Sequence, residues 1–294
     1  MCTVLDKDML TIIEEPVFVA PGIEYETGTG FEGHAFFEAP SIRKVKDTYY
    51  FIYSSSPMHE LCYATSDKPN KGFSFGGVIV SNNDIGIDTY KPANLPVAYG
   101  GNNHGSIVQI KEDWYIFYHR QTNGIWYSRQ GCAEKIQILA DGTIPQVEMT
   151  SCGLNGGPLL GKGEYPAYIA CHLFTDTPSV YVGGDQFPKI MQDGKDGDEE
   201  LGYIANMKKS ATAGFKYFDF CDVKKISIDV RGYVDGHFEI KTSMNGEALA
   251  KLPVKNSNVW ETYSSDITIP DGVGSLYITY CGNGNASLRS FTLA

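Results

Sequence analysis

Slid along itself by 65 residues, the chain falls back into register, and that internal repeat constrains the fold more than any single motif. Glu38 to Ser54 (Glu-Ala-Pro-Ser-Ile-Arg-Lys-Val-Lys-Asp-Thr-Tyr-Tyr-Phe-Ile-Tyr-Ser) lies over Asn103 to His119 (Asn-His-Gly-Ser-Ile-Val-Gln-Ile-Lys-Glu-Asp-Trp-Tyr-Ile-Phe-Tyr-His). Ser41/Ser106, Ile42/Ile107, Lys46/Lys111, Tyr50/Tyr115 and Tyr53/Tyr118 are identical across the two copies. After each copy a short turn leads to a further aromatic run, Leu61–Thr65 and Ile125–Ser128. One repeat is therefore strand, turn, strand, turn, strand and a long connection. A small sheet of this kind must stack on a neighbour to bury both faces, which is the grammar of a β-propeller blade. The period is long for a blade, so the excess is inserted loop, such as Gly72 to Gly101. About two and a half blades fit before the pattern stops near Gly153, whereas a propeller takes at least about four. The chain is expected to open in mid-pattern, with further blades upstream.

Beyond the repeat the chain stays β-rich. Lys225-Ile-Ser-Ile-Asp-Val230 and Ser275-Leu-Tyr-Ile-Thr-Tyr280 are short, alternate apolar with polar, and are bounded by Gly, Asn, Asp or Pro, as half-buried strands are. The best helical candidate, Asn206 to Gly214, is too short to matter. Gly153-Leu-Asn-Gly-Gly-Pro-Leu-Leu-Gly-Lys-Gly-Glu164 is Gly-dense but lacks the Gly-Lys-Ser/Thr that opens a phosphate-loop helix, and reads as a linker. The sequence predicts an all-β chain: a partial β-propeller over residues 1–155, a linker over 156–164, and a β-sandwich of jelly-roll type over 165–294.

Composition excludes several function classes. Acidic residues outnumber basic ones by 35 to 24, a formal charge of −11, so neither nucleic acid nor an anionic membrane surface is an expected partner. No apolar run approaches the roughly 18 residues of a membrane-spanning helix. Met1-Cys-Thr-Val-Leu-Asp-Lys-Asp-Met-Leu10 has neither a basic nor an apolar leader region. The 7 cysteines are odd in number, scattered and without metal-ligand spacing, as reduced thiols would be. Together these favour the cytoplasm over secretion.

Three side chains in the repeat could carry chemistry. Glu38 heads an apolar strand in Phe36-Phe-Glu-Ala-Pro40; it is either a desolvated carboxyl with a raised pKa, suited to general-acid work, or a strand-end acid facing solvent. The second copy opens at the same depth with Asn103-His104-Gly105. Strand starts of this kind line a propeller's central channel, although His104 could equally be a core histidine. Arg129 opens the next run and offers a guanidinium clamp for hydroxyls or carboxylates, or is a surface arginine.

The Phe37-Glu-Ala-Pro-Ser-Ile-Arg-Lys44, Thr48-Tyr-Tyr-Phe-Ile-Tyr-Ser54, Asn103-His-Gly-Ser-Ile-Val108 and Trp114-Tyr-Ile-Phe-Tyr-His-Arg120 segments resemble glycoside hydrolase family 43, five-bladed propellers that hydrolyse xylosides and arabinosides with inversion. The resemblance implies that Glu38 is the general acid and that Phe37 lies against the substrate. It further implies that His104 sits on the propeller axis near a calcium or other cation, and that Arg129 orients the sugar. It also exposes a departure: neither the family's general-base Asp nor its pKa-tuning Asp has a matching position, and an inverting enzyme needs both carboxyls about 6.5–9.5 Å apart around a water. Asp8 and Glu32 lie nearby, with nothing in their setting to recommend them as replacements.

The last 130 or so residues, with Phe215-Lys-Tyr-Phe-Asp-Phe220, Val230-Arg-Gly232, Trp260-Glu-Thr-Tyr-Ser-Ser265 and Leu276-Tyr-Ile-Thr-Tyr-Cys-Gly-Asn-Gly284, resemble a family 6 carbohydrate-binding module. Trp260 and Tyr203 are then candidates for stacking on sugar rings, or else core aromatics. The acidic Asp193–Asp198 turn suggests calcium but lacks the ligand spacing of an EF-hand loop. Three expectations follow: a xylosidase or arabinofuranosidase acting on xylose- or arabinose-containing oligosaccharide or polysaccharide; a non-catalytic carbohydrate-binding protein; or a truncated gene product with no independent function. In each case the open blade edges are expected to make the chain associate with itself unless it meets its missing blades.

Overall fold

The computed structural model describes residues 1–99, 101–177, 179, 186–194 and 202–294. The chain is all-β and divides into two compact units. The first comprises Met1–Ala93, Gly100–Arg120 and Gly131–Glu148; the second comprises Asn94–Tyr99, Gln121–Gln130 and Met149–Ala294.

In the first unit, β1 (Cys2–Leu5) and β2 (Ile12–Val17) pair as an antiparallel ribbon. Strands β3 (Phe36–Val45), β4 (Thr48–Ser55), β5 (Glu60–Ser66) and β6 (Ser74–Ser81) form a four-stranded antiparallel sheet in sequence order. A three-stranded sheet follows, built of β7 (Ser106–Ile110), β8 (Asp113–Thr122) and β9 (Ile125–Ile136), except that Gln121–Gln130, the end of β8 and the start of β9, belong to the second unit. These two sheets are the blades of the partial propeller that the repeat predicts. Central strand β4 is buried continuously from Tyr50 to Ser55, as a blade strand covered on both faces must be. The two copies even turn alike. Lys46 and Lys111 each open a two-residue hairpin loop with positive φ, +53° and +56°, a backbone that suits the twist of the flanking strands. The hydroxyls of the equivalent Ser41 and Ser106 meet at 2.8 Å, joining the copies at matched positions.

Among the described residues, the second unit contains ten further strands: β10 (Leu159–Leu160), β11 (Gly163–Pro166), β12 (His172–Phe174), β13 (Lys189–Met191), β14 (Tyr203–Met207), β15 (Thr212–Phe220), β16 (Val223–Lys241), β17 (Ala250–Val254), β18 (Ser257–Ile269) and β19 (Gly272–Leu293). Long β19 pairs with β15 along its first half and with β16 over most of its length, while β16 carries β17 and β18 on its other edge. The sheet thereby curls into a sandwich around one core that includes Phe215, Phe218, Phe238, Leu288 and Phe291. Period-two patterning produces that core: Ala250, Leu252 and Val254 of β17 are buried while Lys251 and Pro253 are exposed. Asn206 to Gly214, the best helical candidate, is strand, turn and strand, with positive φ at Asn206 and Ser210.

The Gly-rich stretch needs a correction, because it is not a free tether. Leu159 and Leu160 pair in parallel with Phe218 and Asp219, and Gly163–Pro166 pair with β19. A Cβ on Gly161 would stand 2.3 Å from the Asp219 carbonyl oxygen, so glycine here serves close backbone approach rather than flexibility.

Candidate active site

Glu38 owes its position to an irregular strand. The β3–β4 register shifts between Phe36 and Glu38 and again between Glu38 and Ser41, and Ala39 takes a left-handed backbone at φ +60°. Bulges re-aim side chains, and a non-glycine residue in this region costs about 1–2 kcal/mol, strain that surrounding structure must hold in place. The phenylalanines do not wrap the carboxyl as the sequence suggested. Phe36 packs on Phe51 and Tyr53 at ring separations of 5.8 and 6.0 Å, whereas Phe37 is 49% exposed. The Glu38 side chain is itself 34% exposed, so partners rather than desolvation define its setting.

Those partners come from the start of the second copy. His104 Nε2 lies 2.9 Å from Glu38 Oε1, at ion-pair distance but off the line of a good hydrogen bond. Asn102 Nδ2 donates to the same oxygen at 3.0 Å. The His104 backbone N–H donates to His119 Nδ1 at 3.2 Å, and the two rings meet edge to face at 5.3 Å. Buried Asn103 holds both flanks, donating to Asn82 Oδ1 at 2.9 Å and accepting from the His119 N–H at 3.3 Å. Gly105 explains why the motif reads His-Gly-Ser: a Cβ there would be 1.9 Å from the Phe117 carbonyl oxygen, so only glycine lets β7 close on β8 with His104 at its head. The structure brings together Glu38 and His104, both singled out in the sequence, and adds Asn102, His119 and Asn82, which the sequence reading did not single out. The Asn102-Asn103-His104 run was the available signal, whereas Asn82 carried none.

Neither nearby carboxylate takes a place beside Glu38 through its own bonds. Asp8 accepts from the Leu10 and Thr11 backbones and from the Thr11 hydroxyl, and these bonds hold its carboxyl down at about 2. Glu32 accepts the Gly28 and Thr29 N–H groups, and backbone donors keep its carboxyl below the ordinary range. A calcium ion at His104 fits poorly. Calcium takes about six to eight oxygens, and around His104 one carboxylate and carboxamides meet imidazole, already engaged with one another.

The other sequence-derived residues belong to the second unit. Arg129 sits within β9, exposed, with Nε donating to the Trp126 carbonyl at 3.0 Å. It lines a polar cavity of about 470 Å³ together with Asn123, Ser128, Tyr168 and Gln192. Tyr203 and Trp260 do come together, edge to face at 5.5 Å. The Trp260 ring lies under the Arg231 and Arg289 guanidinium groups at 4.4 and 4.9 Å, a cation–π stack. Arg231 in turn pairs with Asp193 at 2.8 Å and holds that carboxyl below its usual value. The turn's remaining residues, Lys195 to Asp198, lie outside the described residues.

No family model matches the chain. A "Xylosidase/arabinosidase" of Thermoclostridium stercorarium is 66% identical over 299 residues, spanning 100% of this chain and 63% of that protein. One of the same name from Bacteroides ovatus is 35% identical over 150 residues, 49% of this chain and 41% of that protein. Among solved structures, a glycoside hydrolase family 43 arabinoxylan arabinofuranohydrolase from Bacillus subtilis has a TM-score of 0.48 at 18% identity, covering 98% of this chain and 57% of the other. The module CsCBM6-3 from Clostridium stercorarium, in complex with cellobiose, has a TM-score of 0.39 at 14% identity, covering 47% and 98%. The chain is thus a homologue of proteins named xylosidase/arabinosidase and spans less than two thirds of their length.

Proposed function

We propose that this chain carries the general-acid half of a glycoside hydrolase acting on xylan- or arabinan-type carbohydrate, a β-xylosidase or α-L-arabinofuranosidase working by inversion. The observation that carries the proposal is the pairing of Glu38 with His104 and Asn102, heads of successive repeats meeting at one carboxyl oxygen. The name borne by the 66% identical relative supports the same chemistry. In the proposed step, the Glu38 carboxyl gives its proton from Oε1 to the departing glycosidic oxygen as the C–O bond breaks. Glu38 is then left as carboxylate beside His104. Asn102 keeps Oε1 aimed throughout. Water attacks the opposite face with its proton taken by a second carboxylate, a role that neither Asp8 nor Glu32 fills while committed to its own turn.

The test compares the chain with its Glu38→Gln variant, each alone and each co-expressed with the portion of the Thermoclostridium stercorarium relative that the chain does not span. Glutamine keeps the shape and removes the transferable proton. Alone, both should turn over little. In the completed protein, Glu38→Gln should lose about 10²–10⁴-fold on xylo-oligosaccharides, which need a protonated leaving group, and far less on activated aryl glycosides. Equal losses on the two substrate classes would remove Glu38 from the acid role. Robust turnover by the chain alone would show that it contains a base.

A further inference from the structure

The first unit holds a second cluster of chemistry-bearing side chains that the proposed hydrolysis does not use. Glu60 and Cys62 lie two residues apart on β5 and so project from one face; both are buried, at 4% and 0% exposure. His34, in the loop before β3, turns Nδ1 to within 2.6 Å of Glu60 Oε1. Its ring stacks on Phe75 at 4.9 Å, and its carbonyl oxygen is held by the Tyr53 hydroxyl at 2.8 Å. Cys62 Sγ donates to the same Glu60 oxygen at 3.3 Å and stands 3.9 Å from His34 Nδ1. We infer that His34 Nδ1, Glu60 Oε1 and Cys62 Sγ form a binding site for one soft divalent cation of the zinc class, with the fourth position taken by water on the partly exposed His34 side.

Distance, donor type and charge all support this. Tetrahedral zinc, with bonds of about 2.0–2.3 Å, sets donor separations of about 3.3–3.5 Å. The separations here, 2.6, 3.3 and 3.9 Å, straddle that range, so displacements below about 1 Å complete the geometry. The loop-borne imidazole, 34% exposed against 5% for the Glu60 side chain, is the less enclosed of those two groups and the one to make them. Nitrogen with thiolate sulfur selects zinc-like ions over calcium or magnesium. One carboxylate, one thiolate and a neutral imidazole also cancel the charge of a divalent ion, which a buried site requires. Loading releases the Cys62 proton, and the His34 proton where present, to solvent. Burial and the Glu60 charge push the free thiol well up, so the metal must supply the force for that deprotonation, as coordinated ions do. A matching trio elsewhere, His237, Glu239 and Cys281, is an internal contrast. There Lys251 and Lys241 occupy the carboxylate at 3.0 and 3.2 Å, and two ammonium groups compete with any cation.

The test is titration of the chelator-treated, reduced 294-residue chain with Co²⁺, followed by displacement with Zn²⁺. The expected result is one Co²⁺ per chain, with a near-ultraviolet thiolate charge-transfer band and tetrahedral visible bands that zinc abolishes. Cys62→Ala should lose the charge-transfer band, and Cys62→Ala and His34→Ala should each weaken affinity by at least about 100-fold. Cys281→Ala should change neither. The readout is independent of sugar hydrolysis, so failure of the glycosidase proposal would leave it standing. Absence of the band in the parent chain overturns the inference without reference to any variant. So does a band that survives in folded Cys62→Ala or disappears in folded Cys281→Ala.

Discussion

Without metal, His34 and Glu60 make a pH-dependent contact whose sign can be worked out. The Glu60 bond raises the His34 imidazole above its ordinary value against the opposing effect of burial. Burial works to raise Glu60, yet the bonds from His34 and Ser55 hold it below its ordinary value. A raised histidine contributes stability fully below the unfolded value of about 6.5 and loses it as pH climbs through the folded value. A depressed glutamate contributes above about 4.3 and loses it as pH falls through its folded value. The pair therefore stabilises most between those limits. In chelator-containing buffer, the gap in thermal midpoint between the parent chain and His34→Gln should be widest near pH 5–6 and close progressively on the alkaline side. A gap constant from pH 5 to 9 would mean that no proton is linked to the contact. None of this was legible in sequence, since residues 34 and 60 are joined only by the meeting of a loop and a strand start.

Among the strands, the repeat exposed the hairpins because turn and aromatic positions recur in the chain itself, as at Lys46/Lys111 and Tyr50/Tyr115. It could not expose the double bulge at Glu38, which is a property of two strands pairing out of step rather than of either strand's composition. The same reasoning applies to Gly105, an ordinary glycine in sequence and a steric necessity against the Phe117 carbonyl. Gly105→Ala should therefore cost at least about 2 kcal/mol, because backbone must move to admit the methyl group. Gly131→Ala meets nothing within 4 Å and is the matched control. It should be neutral or stabilise by up to about 1 kcal/mol by restricting the unfolded chain. Urea unfolding of the two variants reads the difference directly, and equal midpoints would show that β7 and β8 approach less closely than described.

At the scale of the whole chain, the first unit leaves a large apolar surface uncovered. Leu10, Met9, Ile12 and Ile13 on and between β1 and β2 are 85%, 70%, 60% and 55% exposed. Phe18, Ile23 and Tyr25 are each 64% exposed, and Phe18 and Tyr25 join Phe31 and Phe73 along an apolar groove. Exposed apolar patches beyond a few hundred Å² are uncommon on monomers, and an unpaired ribbon edge adds backbone groups ready to pair with another chain. Edge protection in β2, Ile-Ile-Glu-Glu-Pro-Val, is confined to Glu14, Glu15 and Pro16, which leaves Ile12 and Ile13 at its start open. The chain alone should therefore self-associate in a concentration-dependent way through this face. Replacing Leu10 and Ile12 together by lysine places charge on the exposed ribbon without touching either core, and should return the chain to monomer with its unfolding stability unchanged within about 0.5 kcal/mol. Light scattering across a dilution series distinguishes the outcomes. A parent chain that stays monodisperse and monomeric at high concentration would show that this surface is tolerated by water, and association that persists in the doubly substituted chain would place the contact elsewhere.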